Sequence, residues 1–222
     1  MVSDNEMKSQ MIEARQELSV WKSRAEKAEE ELTDVRALLE KAKPALPETA
    51  PMTLDPAITA LLVLDLTNRC NDPSQVCSQI VGGVNNLVEK ARKAGVLVIY
   101  TLIAGAKDTP QGGVWNGFNA LPGEPVLAPD AYDKFDGGEI RGFLEKRGVK
   151  NVIVTGASSN FAVLYTSTTA ARLYHYNVVI PVDGIIARTP YEGDYSVYQF
   201  TRLPGAAQYF SFTTLGGIEF KG

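Results

Sequence analysis

From Asp4 to Lys43 apolar residues recur at heptad spacing, with Met11, Leu18, Ala25, Leu32 and Leu39 in one seam position and Met7, Ala14, Trp21, Ala28, Val35 and Ala42 in the other. The stretch is rich in Glu, Lys, Arg, Ala and Leu and contains neither Gly nor Pro. A seam sustained over this length predicts one long helix of coiled-coil type. A surface helix packed along its own domain would also suit the alanine-rich seam, so the pattern leaves both arrangements open. Ser3 or Asp4 is placed to cap the start, and Pro44 ends the helix. Residues 44–57 follow, with four prolines between Pro44 and Pro56, and are expected to form an extended linker.

Beyond the linker the period changes. Ala60 to Leu66 (ALLVLDL) is a continuous apolar run with a carboxylate near its end, and Val96–Leu102, Val152–Thr155 and Asn177–Val182 repeat the buried-strand pattern. Helical patterns lie between and after them, at Val76–Ala94, Glu139–Arg147, Phe161–Tyr174 and Tyr191–Leu203. This alternation predicts an α/β domain over residues 58–222, a doubly wound parallel sheet flanked by helices and preceded by the coiled-coil helix at 4–43. Ligands of such sheets bind at the carboxyl ends of the strands, which places Asp65 at the binding rim.

The 222 residues are 45% hydrophobic and 22% charged, enough for one sizeable core with an appendage. A net charge of −4 and no evident basic patch argue against nucleic acid or an anionic membrane surface as partner, and leave small molecules and protein. Cys70 and Cys77 are the two cysteines and form no CxxC pair, and His175 is the one histidine, so neither a metal site nor a disulfide is expected. The cysteines read as free cytosolic thiols. No stretch approaches the roughly 20 apolar residues of a membrane span and the N-terminus lacks a signal-peptide core, which gives a cytoplasmic expectation.

Three segments carry a resemblance: LLVLDLTN at Leu61–Asn68, VIVTGASSNFAVLYTSTTAA at Val152–Ala171 and VVIPVDGI at Val178–Ile185. In order and spacing they are similar to the isochorismatase-like superfamily, also called cysteine hydrolases, over about Ala60 to Phe220. The middle segment is the more specific of the three. The resemblance implies a general-base aspartate after the first strand, which Asp65 matches; a strand-end carboxylate capping a nearby loop would look the same. It implies an assisting lysine in the stretch PDAYDKFDGGEI, where Pro129 holds the aligned position and Lys134 is the nearest candidate, with Lys107 and Arg69 as other sources of positive charge. It implies a nucleophilic cysteine at the position of Ala162, whose methyl cannot attack a carbonyl.

The same resemblance implies a cis peptide bond between Ala157 and Ser158, and backbone N–H groups of Ser158 and Ala162 directed at a substrate oxygen. Asn160 stands where aspartate is common, which favours an anionic or strongly polar ligand. Asn68 and Tyr191 complete the expected substrate-binding set. A metal cluster of aspartate and histidines has no counterpart, since His175 lies at a helix end, and no cofactor is implied. Isochorismatases that cleave a vinyl ether carry a small residue at the nucleophile position and use the strand-end aspartate as acid.

Three readings of function therefore stand. The first is hydrolysis of a small polar or carboxylated molecule by a cysteine-independent route with Asp65 as acid or base. The second is a binding or scaffold protein without activity, and the third an engineered cysteine-to-alanine variant of an amidohydrolase. Heptads and family habit both imply a homo-oligomer.

Overall fold

The computed structural model describes residues 4–42 and 45–221. Ser3, the side chain of Asp4, Lys43 and Pro44 lie outside the described residues, and with them the expected caps of the first helix. The chain divides into two units, residues 1–44 and 45–222. The first contains helix α1, Asp4–Ala42, a single helix of 39 residues.

The second unit is an α/β sandwich. Its strands and helices follow as β1 (Met52–Leu54), β2 (Thr59–Leu64), α2 (Val81–Lys93), β3 (Leu97–Thr101), β4 (Val126–Leu127), α3 (Glu139–Lys146), β5 (Asn151–Ala157), α4 (Leu164–Arg172), β6 (Asn177–Pro181), β7 (Ile185–Ile186), α5 (Pro190–Phe200), β8 (Phe210–Thr213) and β9 (Ile218–Phe220). The main sheet runs β4-β3-β2-β5-β6-β8, with β7 paired to β5 beyond β6, and every pairing is parallel. Strand order reverses between β2 and β5, because the chain runs from β2 out to β4 before returning on the other side. That reversal opens a crevice at the carboxyl ends of β2 and β5.

Alternation along each strand builds two cores, one per face. Ala60, Leu62 and Leu64 of β2 join Val152 and Val154 of β5 and the buried faces of α3, α4 and α5, where Ile140, Leu144, Ala170, Val197 and Phe200 pack. Leu61 and Val63 point the other way, with Val98 and Ile153, toward Val84, Leu87, Val88 and Ala91 of α2. Burial on both faces explains why these strands read as unbroken apolar runs.

Three expectations are corrected. The stretch at 44–57 is not all linker: Met52–Leu54 is strand β1, and pairs in parallel with β9 so that Met52 faces Ile218 and Leu54 faces Phe220. The helix expected from Val76 starts at Val81, because Val76–Gln79 forms a separate 3-10 turn. Cys70 and Cys77 are not free thiols but a disulfide with a Cα–Cα distance of 5.3 Å. The reason is local: two 3-10 turns, Asn68–Asn71 and Val76–Gln79, fold the loop after β2 back on itself and bury both cysteines in the core cluster that includes Leu66 and Val81. No described helix is long and apolar enough to cross a membrane.

Candidate active site

Asp65 is the first residue past β2. Its N–H bonds the Thr101 carbonyl at 3.1 Å, which continues the β2–β3 register in which Leu64 faces Thr101. Its backbone is left-handed, φ 55°, an outlying conformation for a residue with a side chain. The carboxylate is buried; Oδ1 accepts from Thr101 Oγ1 at 2.7 Å and Oδ2 lies 3.0 Å from Lys134 Nζ. The Lys134 and Asp65 side chains are only 4% and 8% exposed, so this ion pair is shielded from bulk water.

Lys134 reaches Asp65 from a segment without regular structure. Its position comes from α4: the Lys134 N–H donates to Thr166 Oγ1 at 3.0 Å, and the neighbouring Asp133 accepts from Thr169 Oγ1 at 2.6 Å. Docking on a helix, not spacing within a motif, brings this lysine into place although Pro129 holds the aligned position.

On the other strand of the crevice, Gly156 has φ 128° and lies so close to β2 that a Cβ there would sit 2.0 Å from the Leu64 carbonyl oxygen. Only glycine permits this approach. The Ala157–Ser158 bond that follows is cis, as the resemblance implied. The chain then enters a π-helical turn, Ser159–Val163, that runs into α4. Phe161 and Val163 both donate to the Ser158 carbonyl, and the intervening Ala162 N–H makes no bond to it. This wide turn sits at the start of a helix, where the dipole favours negative charge.

These groups surround one cavity of about 870 Å³, lined among others by Asp65, Arg69, Lys134, Ser158, Ala162 and Arg188. Of the residues singled out from sequence, Asp65, Lys134, Ser158 and Ala162 meet there. Asn160 stands just behind, accepting from Ser158 Oγ at 2.7 Å. Asn68 is turned elsewhere: it bonds the Pro110 carbonyl and the Asn116 N–H, fastening the loop at 110–116. Tyr191, in the first turn of α5, is 73% exposed and does not line the cavity. His175 is exposed and rests against Tyr209. Sequence reasoning missed Thr101, Thr166 and Arg188. The first was visible as a hydroxyl ending a strand beside β2, whereas nothing in the sequence marked the other two. Among the described residues no group of three or more His, Cys, Asp or Glu is placed to hold a metal ion.

A parallel α/β sheet with an acid and a lysine paired at its switch point, followed by a cis bond and a helix start, defines a hydrolase-type crevice. Residues 59–208 match the isochorismatase domain, and the chain belongs to the isochorismatase family of hydrolases. No curated protein sequence matches it. Among solved structures it is similar to an isochorismatase family protein from Desulfovibrio vulgaris, with 22% identity, a TM-score of 0.62, and 72% of this chain and 95% of that one covered. A cysteine hydrolase from Pseudomonas syringae has 20% identity and a TM-score of 0.61 over 77% of this chain and 94% of its own. N-carbamoylsarcosine amidase from Thermoplasma acidophilum has 22% identity and a TM-score of 0.60 over 71% and 96%. At these identities the likeness is one of fold.

Proposed function

We propose that this chain hydrolyses a small polar or carboxylated molecule without a cysteine nucleophile, with Asp65 as the acid–base residue. The observation that carries the reading is the buried Lys134–Asp65 pair, 3.0 Å apart, on the wall of a cavity that Ala162 also lines. Each Asp65 oxygen, having one partner in Thr101 or Lys134, keeps a lone pair for a second donor. A water bonded there gives its proton to Asp65 as its oxygen forms the bond to the electrophilic carbon. Asp65 then returns the proton to the leaving group. Negative charge developing on the substrate oxygen is met by the Ala162 N–H and the start of α4.

Ala162 also supports a second reading, a protein that binds a ligand and leaves it unchanged. A mass-spectrometric metabolite screen on wild type and Asp65→Asn separates the two: a compound consumed by wild type alone supports hydrolysis, whereas one bound by both and consumed by neither supports binding. Ala162→Cys tests an ordinary thiol mechanism, since thiol-dependent amide hydrolysis should appear in that variant if the rest of such machinery is intact.

We further propose that α1 pairs with a second copy of the chain. A single helix cannot bury its own seam, and the heptads make that seam self-complementary. Sedimentation of Leu18→Glu/Leu32→Glu should show a lower mass than wild type; an unchanged mass sinks the pairing.

A further inference from the structure

The mechanism leaves the guanidinium of Arg69 on the cavity wall unused. Arg69 lies in the 3-10 turn after β2, held by its own N–H on the Gln111 carbonyl at 3.1 Å and by the disulfide of its neighbour Cys70. Its side chain lines the cavity and is half-buried, and its Nε is buried without a hydrogen-bond partner. No ion pair of Arg69 is found among the described residues. The carboxylates that share the cavity are otherwise disposed: Asp65 is held by Lys134 and Thr101, Glu192 accepts from the Thr189 N–H and hydroxyl in the capping box of α5, and Asp130 is exposed. Arg188, also without an ion pair among the described residues, lines the same cavity from the loop before α5.

The Nε–H is closed to water and so to a ligand as well, which leaves the terminal Nη1 and Nη2 groups, on a side chain held by a fixed loop, as the donors a ligand in the cavity meets. A planar fork of donors matches a carboxylate in shape and charge better than any neutral group. Val76, Ile103, Pro129, Tyr132 and Phe161 give part of the remaining lining an apolar or aromatic surface, beside the polar Ser74, Gln75 and Ser158. We propose that Arg69 is the specificity residue of this cavity and anchors the carboxylate of a small organic acid whose body lies on the apolar lining, with Arg188 as an accessory cation. This deepens the reading of the cavity as a substrate site and rests on it, yet it is tested through binding alone.

The probes are benzoate and its neutral near-isostere benzamide, titrated by NMR into the full chain. Wild type is expected to bind benzoate about tenfold or more tightly than benzamide. Arg69→Gln should bring the two within about twofold, and Arg69→Lys should retain part of the preference, keeping the charge but losing the fork. The thermal midpoint of Arg69→Gln should not fall, because the change removes a donor that had no partner. Asp65→Asn, which lowers turnover steeply under the hydrolase reading, should keep the preference for benzoate. Failure of wild type to bind benzoate at tens of millimolar, no preference over benzamide, or a preference that survives Arg69→Gln each overturns the proposal. Failure to find any Asp65-dependent turnover while the preference holds overturns the hydrolase reading and leaves this one standing.

Discussion

Lys134–Asp65 and Arg92–Glu124 both join segments far apart in the chain, at 3.0 and 2.7 Å, and both are largely withdrawn from water. They differ in how completely they are used. Arg92 spends its donors on the Glu124 carboxylate at both oxygens, on the Phe118 and Asn119 carbonyls and on the Tyr100 hydroxyl. Glu124 also accepts from the Leu121 N–H. Burial, the largest single influence, would raise the Glu124 pKa, but the Arg92 hydrogen bonds and charge, the Leu121 N–H and the Tyr100 hydroxyl together outweigh it and hold the carboxyl below its ordinary value. The same carboxylate raises the Arg92 pKa, and burial raises that of Tyr100. This pair clamps the loop at 118–124 onto α2. Lys134, by contrast, makes one side-chain bond among the described residues, to Asp65, and both side chains line the cavity. A saturated pair holds a fold together, while an unsaturated pair at a cavity has donors and lone pairs left for chemistry.

Substitution on each side should pull the two apart. Asp65→Asn keeps the shape and removes the base, and should lower kcat/KM on the substrate found by the metabolite screen by about 10²–10⁴-fold; a loss under tenfold breaks the contrast from the catalytic side. Glu124→Gln leaves Arg92 without its counter-charge and should cost about 3 kcal/mol in urea unfolding, with turnover within about twofold of wild type. Equal stability in the two proteins would remove the structural half of the comparison. Cys70→Ser/Cys77→Ser opens a short loop that forms part of the cavity wall and should cost about 2.5 kcal/mol, matched by wild type in reductant.

The pH dependence is the smallest effect. Because the folded-state pKa of Glu124 is depressed, its contribution is complete above the ordinary carboxylate pKa and is lost as pH falls through the lowered value. Stability curves of wild type and Glu124→Gln should therefore converge on the acid side of pH 4.5, the ordinary value for this group. Parallel curves would show that Glu124 titrates alike in both states.

The sequence was most legible where a pattern repeats or a strand is wholly buried. β2, β3, β5 and β6 fall where unbroken apolar runs placed them, because burial on two faces constrains every residue in the run, and α1 spans the heptad stretch that holds neither Gly nor Pro. The short strands β1, β4, β7, β8 and β9 were missed, since two to four residues completed by a partner distant in sequence leave no period to read. The disulfide was missed for a related reason: a seven-residue separation suits a cross-link only once two 3-10 turns have folded the loop.

The site divides in the same way. Asp65 lies where the end of a buried strand placed it, Ser158 and Ala162 were named through the family resemblance, and all three line the cavity. Lys134, Thr101 and Arg69 acquired their environments from tertiary contacts: Thr166 of α4 sets the lysine, the β2–β3 register sets the hydroxyl, and a folded-back, cross-linked loop sets the guanidinium. Sequence by itself determined which backbone ends at the crevice, since hydrophobic burial acts through local pattern. Tertiary structure decided which charges face each other there, because charge pairing depends on distances of a few ångströms that no spacing along the chain records.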